Sequence, residues 1–238
     1  MKYRIYLLLI GFALLSCQEE QGNYMTVNGT VKGLKKGVLY LQRLQDSSLV
    51  SLDSLQVRGD GRFSFKTKLE SPEVFYLYLN KKDENELNDR ITFFGEPGTI
   101  TINTNWNSFD TQAKVEGSET QKKLEEYRKV MSRFNSRNLE ILRAAYDPEL
   151  QGDSLAMDSI ARLSDRNILR GYLYALNYAI NNANSCIAPY IALTEVADAN
   201  VKYLDSIYTS LSPEVAASKY GKELAVLVKK KQSEKPAE

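Results

Sequence analysis

Val115-Glu116-Gly117-Ser118-Glu119-Thr120-Gln121 is the stretch at which the chain changes grammar. Before it, apolar residues alternate with polar ones, the period of strands; after it they recur at three-four spacing, the period of a helix. Gly117 interrupts the first pattern. Ser118 with Gln121 three residues on has the form of a capping box, in which the serine oxygen takes up a free N–H at the start of a helix. The stretch therefore predicts an α+β fold, with an N-terminal antiparallel β-sandwich over residues 24–117 and a C-terminal helical bundle over residues 118–230.

Upstream, Met25, Val27, Gly29 and Val31 alternate with polar partners, and so do Phe63, Phe65, Thr67 and Leu69. Short runs recur at 38–44, 49–57, 74–79, 91–94 and 99–103. About seven or eight strands at this spacing suggest a sandwich. Gly59-Asp60-Gly61 reads as a hairpin, because Asp-Gly tolerates the positive φ of a tight turn, and Gly95-Glu96-Pro97-Gly98 reads as a second turn.

Downstream, Leu124, Tyr127, Met131, Phe134, Ile141 and Ala145 mark an amphipathic helix of about seven turns, closed by Asp147-Pro148. Gly152-Asp153 opens a second helix that runs to about Asn182. Ser185 starts a third, Asn200 caps a fourth, and Ser212-Pro213 starts the last, with Pro in the first turn where its missing N–H costs nothing. These are about five helices, whose apolar stripes have to be buried against each other or the sandwich. Residues 231–238 read as a polar tail.

The composition removes much chemistry. The 238 residues contain no histidine and only two cysteines, Cys17 and Cys186. Ser-His-Asp and Cys-His catalysis, zincin motifs and four-thiolate sites are thereby excluded. Lys and Arg total 31 against 30 Asp and Glu, which leaves no electrostatic footprint for nucleic acid.

At the start, Lys2 and Arg4 precede an apolar run from Ile5 to Leu15. That run is too short to cross a bilayer core of about 30 Å but suits a signal peptide, expected over residues 1–16. Leu14-Leu15-Ser16-Cys17 resembles the lipobox of bacterial lipoproteins. The resemblance implies that the Cys17 thiol takes a diacylglyceryl group, that Ser16 fits the peptidase pocket, and that residues 17–23 form a lipidated tether. Each buried CH₂ of a lipid tail contributes roughly 0.8 kcal/mol, so two or three chains hold firmly where one is marginal. The expected partner is the membrane, reached through Cys17. Gln18 is not the Asp of an inner-membrane retention signal, so the outer membrane is the expected location. Gln18-Glu19-Glu20 resembles an acidic surface-export tag and equally suits a plain solvated tether.

With the order of parts read, residues 24–228 resemble a family of Bacteroidota lipoproteins in which a β-domain of unknown function precedes a thioredoxin-like (AhpC/TSA, TlpA-like) domain. The resemblance lies in Val27-Asn28-Gly29-Thr30-Val31-Lys32-Gly33, Val38-Leu39-Tyr40-Leu41, Leu52-Asp53-Ser54, Asp60-Gly61-Arg62-Phe63, Phe93-Phe94-Gly95-Glu96-Pro97-Gly98 and Ser218-Lys219-Tyr220-Gly221-Lys222. No CxxC redox domain follows in this sequence, so redox activity is not implied. The family's β-domain has no assigned catalytic residues to carry over.

Other candidate chemistry is sparse. Asp83, Glu84, Glu86 and Asp89 form an acidic cluster, but Leu87 interrupts the ligand spacing of an EF-hand, and a solvated loop suits them better. Ser64 stands where GxGxxG needs its third glycine after Gly59-Asp60-Gly61. No Gly-x-Ser-x-Gly elbow or Ser-x-x-Lys pair occurs. Asp53 with Asp60, or Glu96 with Glu116, act as an acid-base pair only if folding joins them. Cys186, beside Ile187 and Ala188, reads as a small buried hydrophobe, the alternative being a reactive thiol that meets a redox partner. Tyr174, Asn177, Tyr178 and Asn181 combine stacking area with hydrogen bonding and are the candidate partner or ligand surface; helix packing with polar seams explains them equally.

The sequence thus points to an outer-membrane-anchored lipoprotein that is a non-enzymatic binding or accessory module, with no cofactor or metal expected. The second reading is an accessory partner of a thioredoxin-like disulfide oxidoreductase in the cell envelope. The third is a carboxylate-based hydrolase, which requires a cleft lined by converging acids.

Overall fold

The computed structural model describes residues 23–81 and 89–234, so Cys17, its leader and the acidic residues 83, 84 and 86 lie outside the described residues. The described residues form eight strands and then six α-helices, with a single 3-10 turn at Trp106–Ser108. The α+β order is the expected one. Strands β1 (Tyr24–Lys32), β4 (Arg62–Lys68), β7 (Gly98–Asn105) and β8 (Lys114–Glu116) make one sheet in the order β4-β1-β7-β8. Strands β2 (Lys36–Gln45), β3 (Ser48–Arg58), β5 (Glu73–Asn80) and β6 (Arg90–Gly95) make the other, in the order β3-β2-β5-β6.

Within this frame three local readings change. β1 and β7 pair in parallel, with Gly29 opposite Ile102, whereas the other described ladders are antiparallel as expected. A parallel pair needs a long connection, which β2 to β6 supply. Gly59-Asp60-Gly61 does turn the chain, yet β3 and β4 belong to different sheets, so it is a corner between layers and not a hairpin. Gly95 to Gly98 is a second corner, from β6 to β7. The two-residue hairpin is Asp46-Ser47, at φ 47° and 68° between the paired Gln45 and Ser48. Two successive positive φ values match the twist of the flanking strands, and an aspartate tolerates them better than most residues.

The β5–β6 side of the second sheet is covered on both faces. Met25, Val27, Ile100 and Ile102 of the first sheet share a buried cluster with Leu39, Leu41, Phe75, Leu77 and Phe93 of the second. Val74 and Phe94, which point the other way, share a second cluster with the helices. Side chains alternate along a strand, so the adjacent Phe93 and Phe94 serve opposite layers. The molecule is therefore three layers, sheet on sheet on helices. A strand buried on both sides reads as a continuous apolar run, which is why Val74 to Leu79 and Ile91 to Phe94 lack clean alternation.

α1 (Glu119–Ala145) begins where expected, with the Ser118 side chain accepting from the Gln121 N–H at 2.9 Å. The box is only half made. Gln121 does not reach back; its Oε1 accepts from Phe94 N at 2.8 Å and its amide donates to Glu125, so it ties the helix to β6. α2 (Ser154–Asn181) is capped by Asp153, α3 (Ile187–Glu195) follows Cys186, and α4 (Val201–Ser210) is capped by Asn200. The expected last helix is two. α5 (Pro213–Ala217) stops at Ser218, whose side chain caps α6 (Lys219–Ser233) by accepting from Gly221 N. α6 also runs on into the segment read as tail. No helix among the described residues is long and apolar enough to cross a membrane.

Candidate functional site

A cleft of about 720 Å³ opens where the second sheet meets the helices. The end of β2 and the Asp46-Ser47 turn form one wall, β5 the floor, and α3 and α6 the other wall. At its base Glu73, with 4% of its side chain exposed, receives Arg43 Nη1 at 3.5 Å from the neighbouring strand and Lys219 Nζ from the first turn of α6. Lys219 Nζ also donates to Leu44 O at 3.2 Å, and its backbone N–H donates to Ser71 Oγ at 3.1 Å. Two cations on one buried carboxylate satisfy the charge that burial would otherwise penalise.

An aromatic wall stands beside this cluster. Tyr190 and Tyr220 lie 5.3 Å apart between centroids, and both meet Phe94 edge-on, at 5.6 Å and 6.0 Å. The Val74 N–H donates to Tyr220 Oη at 3.0 Å, so a side chain of α6 completes the hydrogen bonding of β5. Burial pushes the Tyr220 hydroxyl far above its ordinary range and raises Tyr190 as well. At the rim, partial burial pushes the Glu223 carboxyl up while Lys219 pulls it back. These residues are far apart in sequence, and nothing local marks them as a group.

The candidate surface read from sequence is divided by the fold. Tyr174 and Tyr178 turn into the seam with α1, 5.7 Å and 5.2 Å from the Tyr127 ring, and Tyr178 Oη donates to Lys123 O at 2.6 Å. Asn177 and Asn181 are exposed. Burial raises Tyr127 and Tyr174 and pushes Tyr178 from 10.0 up to about 12. A tyrosine whose folded pKa is raised supports the fold fully below its unfolded value and loses that support as pH climbs towards the folded one. The urea midpoint is therefore expected to fall as pH rises from about 10 to about 12, and Tyr178→Phe to flatten that fall. A wild-type midpoint level across this window would contradict the buried tyrosine seam.

Cys186 is buried, in a recess of about 530 Å³ that also contains Pro72, Glu214 and Ser218. Burial pushes its thiol up, with Ser218 pulling slightly the other way, so it is a protonated thiol and not a poised thiolate. Glu96 does not meet Glu116; its carboxylate accepts from Glu119 N and from Thr120 Oγ1 at 2.8 Å, capping α1 where the helix dipole favours an anion. Asp60 is held by Arg62, whose backbone N–H and guanidinium both donate to it and lower its carboxyl. Asp89 pairs with Lys81 at 2.7 Å. Among the described residues no group of three or more His, Cys, Asp or Glu is placed to hold a metal ion.

Compared with known families, the sheet half is the part that matches. A DUF4369 domain, a domain of unknown function, is found at residues 25–124. Its span runs past β8 into the first two turns of α1, where Gln121 bonds to β6 and Leu124 shares a buried cluster with Val74 and Phe94. The DUF4369 domain supplies Arg43, Glu73 and Tyr76 to the cleft, while Tyr190, Lys219, Tyr220 and Glu223 come from beyond it. No curated protein and no solved structure matches the chain.

Proposed function

We propose that the chain is an outer-membrane lipoprotein, acylated at Cys17, that works as a non-enzymatic binding or accessory module in the cell envelope. The non-enzymatic part of this reading is supported by the base of the cleft, where the groups around Glu73 are engaged with one another, and the anchor part by the lipobox resemblance of Leu14-Leu15-Ser16-Cys17. Glu73 is matched by Arg43 and Lys219, Tyr220 Oη by the Val74 N–H, and Ser71 Oγ by the Lys219 N–H. A general base or nucleophile has to be free to take or give a proton, whereas these groups clamp sheet to helix. The cleft is also lined by Tyr76, Tyr190 and Tyr220, with Glu70 and Glu223, residue types able to stack and to hydrogen-bond.

The second reading, an accessory to a thioredoxin-like oxidoreductase, draws support from the DUF4369 match, since a β-domain of unknown function is what the lipoprotein resemblance implied. The buried, protonated Cys186 thiol would leave such a partnership to surface contacts rather than thiol exchange. Cys17→Ser is expected to abolish incorporation of labelled palmitate and to release the protein from the outer-membrane fraction or leave it as precursor. Retention of that variant at wild-type levels contradicts the anchor. Turnover of a substrate by the purified wild-type chain contradicts the non-enzymatic role.

A further inference from the structure

The helices cover one end of the second sheet's outer face. Leu39 and Leu41 of β2 and Leu77 and Leu79 of β5 point to the first sheet, so Tyr40, Gln42 and Tyr78 point away from it. The helices close over Val74, Tyr76 and Phe94. Tyr40 and Tyr78, farther along, are partly exposed and pack against neither buried cluster. Their rings stack across the β2–β5 ladder at 5.9 Å, and the guanidinium of Arg90, opposite Tyr78 on β6, lies 5.1 Å from the Tyr78 ring centre.

Charge and unused hydrogen-bonding groups describe what suits this face. Lys36 stands directly opposite Arg58 on the β2–β3 ladder, and like charges so placed destabilise a sheet. With Lys35 they line a recess of about 420 Å³. None of the ion pairs among the described residues includes Lys35, Lys36, Arg58 or Arg90. From the row of Lys36 and Arg58 to the row of Gln42 and Tyr76, the outward positions hold no Asp or Glu. Gln42 is 9% exposed, and its amide donates to Ser51 Oγ at 3.1 Å, yet its Oε1 has no partner among the described residues. Arg90 Nε is likewise buried without an acceptor. The register shift at Leu41–Gln42 marks a β-bulge, a device that re-aims side chains next to functional sites.

An inorganic anion would match the cations and leave Gln42 Oε1 without a donor. A neutral sugar would give Gln42 a hydroxyl and leave Lys36 facing Arg58. A saccharide that carries carboxylates supplies both, and its C–H faces lie well against tyrosine rings. Lys36 and Arg90 are four residues and two strands apart, roughly 17 Å between Cα atoms, a distance that a short oligosaccharide spans. We infer that this open part of the second sheet binds an acidic oligosaccharide, with one carboxylate between Lys36 and Arg58, another on Arg90, sugar rings against Tyr40 and Tyr78, and a hydroxyl donating to Gln42 Oε1. The site draws on neither the Glu73 cluster nor the lipid anchor.

Calorimetric titration of the full chain, in a non-ionic detergent free of sugar, with hexagalacturonate should give saturable binding that weakens as salt is added. Maltohexaose and inorganic phosphate should each bind at least about tenfold more weakly. Lys36→Glu with Arg58→Glu should weaken hexagalacturonate binding about tenfold or more. Tyr40→Ala should weaken it about tenfold with the salt dependence unchanged. Gln42→Leu separates binding from structure, because an unpaired buried acceptor burdens the fold: affinity should drop severalfold while the melting temperature holds or rises. A wild type that does not bind hexagalacturonate, binding indifferent to the Tyr40 and Gln42 substitutions, or equal affinity for maltohexaose overturns the assignment. Tighter binding of anionic phospholipid vesicles or of oligothymidylate through the same cations replaces it with a membrane or nucleic-acid surface.

Discussion

Gly29→Ala is expected to lower the melting temperature by roughly 10 °C or more, because a methyl group has nowhere to go at that position. A Cβ on Gly29 would lie 1.8 Å from Ile102 O and 2.6 Å from Ile102 C, both backbone atoms of the parallel neighbour β7. β1 is an inner strand of its sheet, flanked by β4 and β7, so the clash is relieved only by prying two ladders apart. Loss of the packing between Val27, Ile100 and the second sheet adds to the strain. A penalty of about 4 kcal/mol or more belongs to the small class of severe substitutions. It is a large share of the roughly 5–15 kcal/mol that holds most domains together. Far-ultraviolet circular dichroism on heating measures it, and an unchanged melting temperature would mean that β1 and β7 do not approach as described.

Phe94→Ala is expected to cost about 3–5 kcal/mol, the usual range for removing a fully buried aromatic. Phe94 is 0% exposed and stands on the edge strand of the second sheet, between Tyr190 of α3 and Tyr220 of α6. Edge-to-face contacts of this kind are worth about 0.5–1.5 kcal/mol beyond the area they bury. The damage should be directional. Phe93 and Phe75 stack at 6.0 Å in the core between the sheets and keep their partners, so the sandwich holds while the helices loosen. Limited proteolysis should then cut first in α3 to α6. Tyr146→Ala, at a 77% exposed position at the end of α1, is the control and should leave stability within about 0.5 kcal/mol. Equal protease resistance of the Phe94 variant and wild type would contradict docking through this ring.

What was legible in the sequence is what local chemistry writes there. Gly117 and Ser118 mark the switch from strands to helix because a positive φ, here 98°, and an N-cap oxygen are requirements of single positions. The strands at Met25–Val31 and Phe63–Phe65 announced themselves by having one wet face. Asp46-Ser47 was missed as the hairpin because its pair lacks the glycine that usually signals two positive φ values, whereas Gly59-Asp60-Gly61 has the right residues and serves a corner. The parallel β1–β7 pairing is a choice made by the whole sheet, invisible to any window of residues. The helix that was expected to continue from Pro213 stops because Ser218 bonds backward to Val215 O at 2.6 Å and forward to Gly221 N at 3.2 Å.

The cleft was not legible at all. Glu73 and Lys219 come together only after the helices have folded back on the sheet, and Arg43 joins them from the neighbouring strand. Each alone reads as an ordinary surface charge. The tyrosine-asparagine stretch of α2 was conspicuous for its composition, yet the rings pack into the seam with α1 while Asn177 and Asn181 remain exposed.

The doubly covered side of the second sheet has a practical bearing on anyone who cuts the gene at the apparent boundary. A fragment ending at Gly117 would keep every strand and still bare Val74, Tyr76 and Phe94 to water, along with the amide that Gln121 normally occupies. Such a piece would behave as an adhesive plate, clumping or sticking to bystanders. Interactions credited to it would belong to the scar and not to the protein.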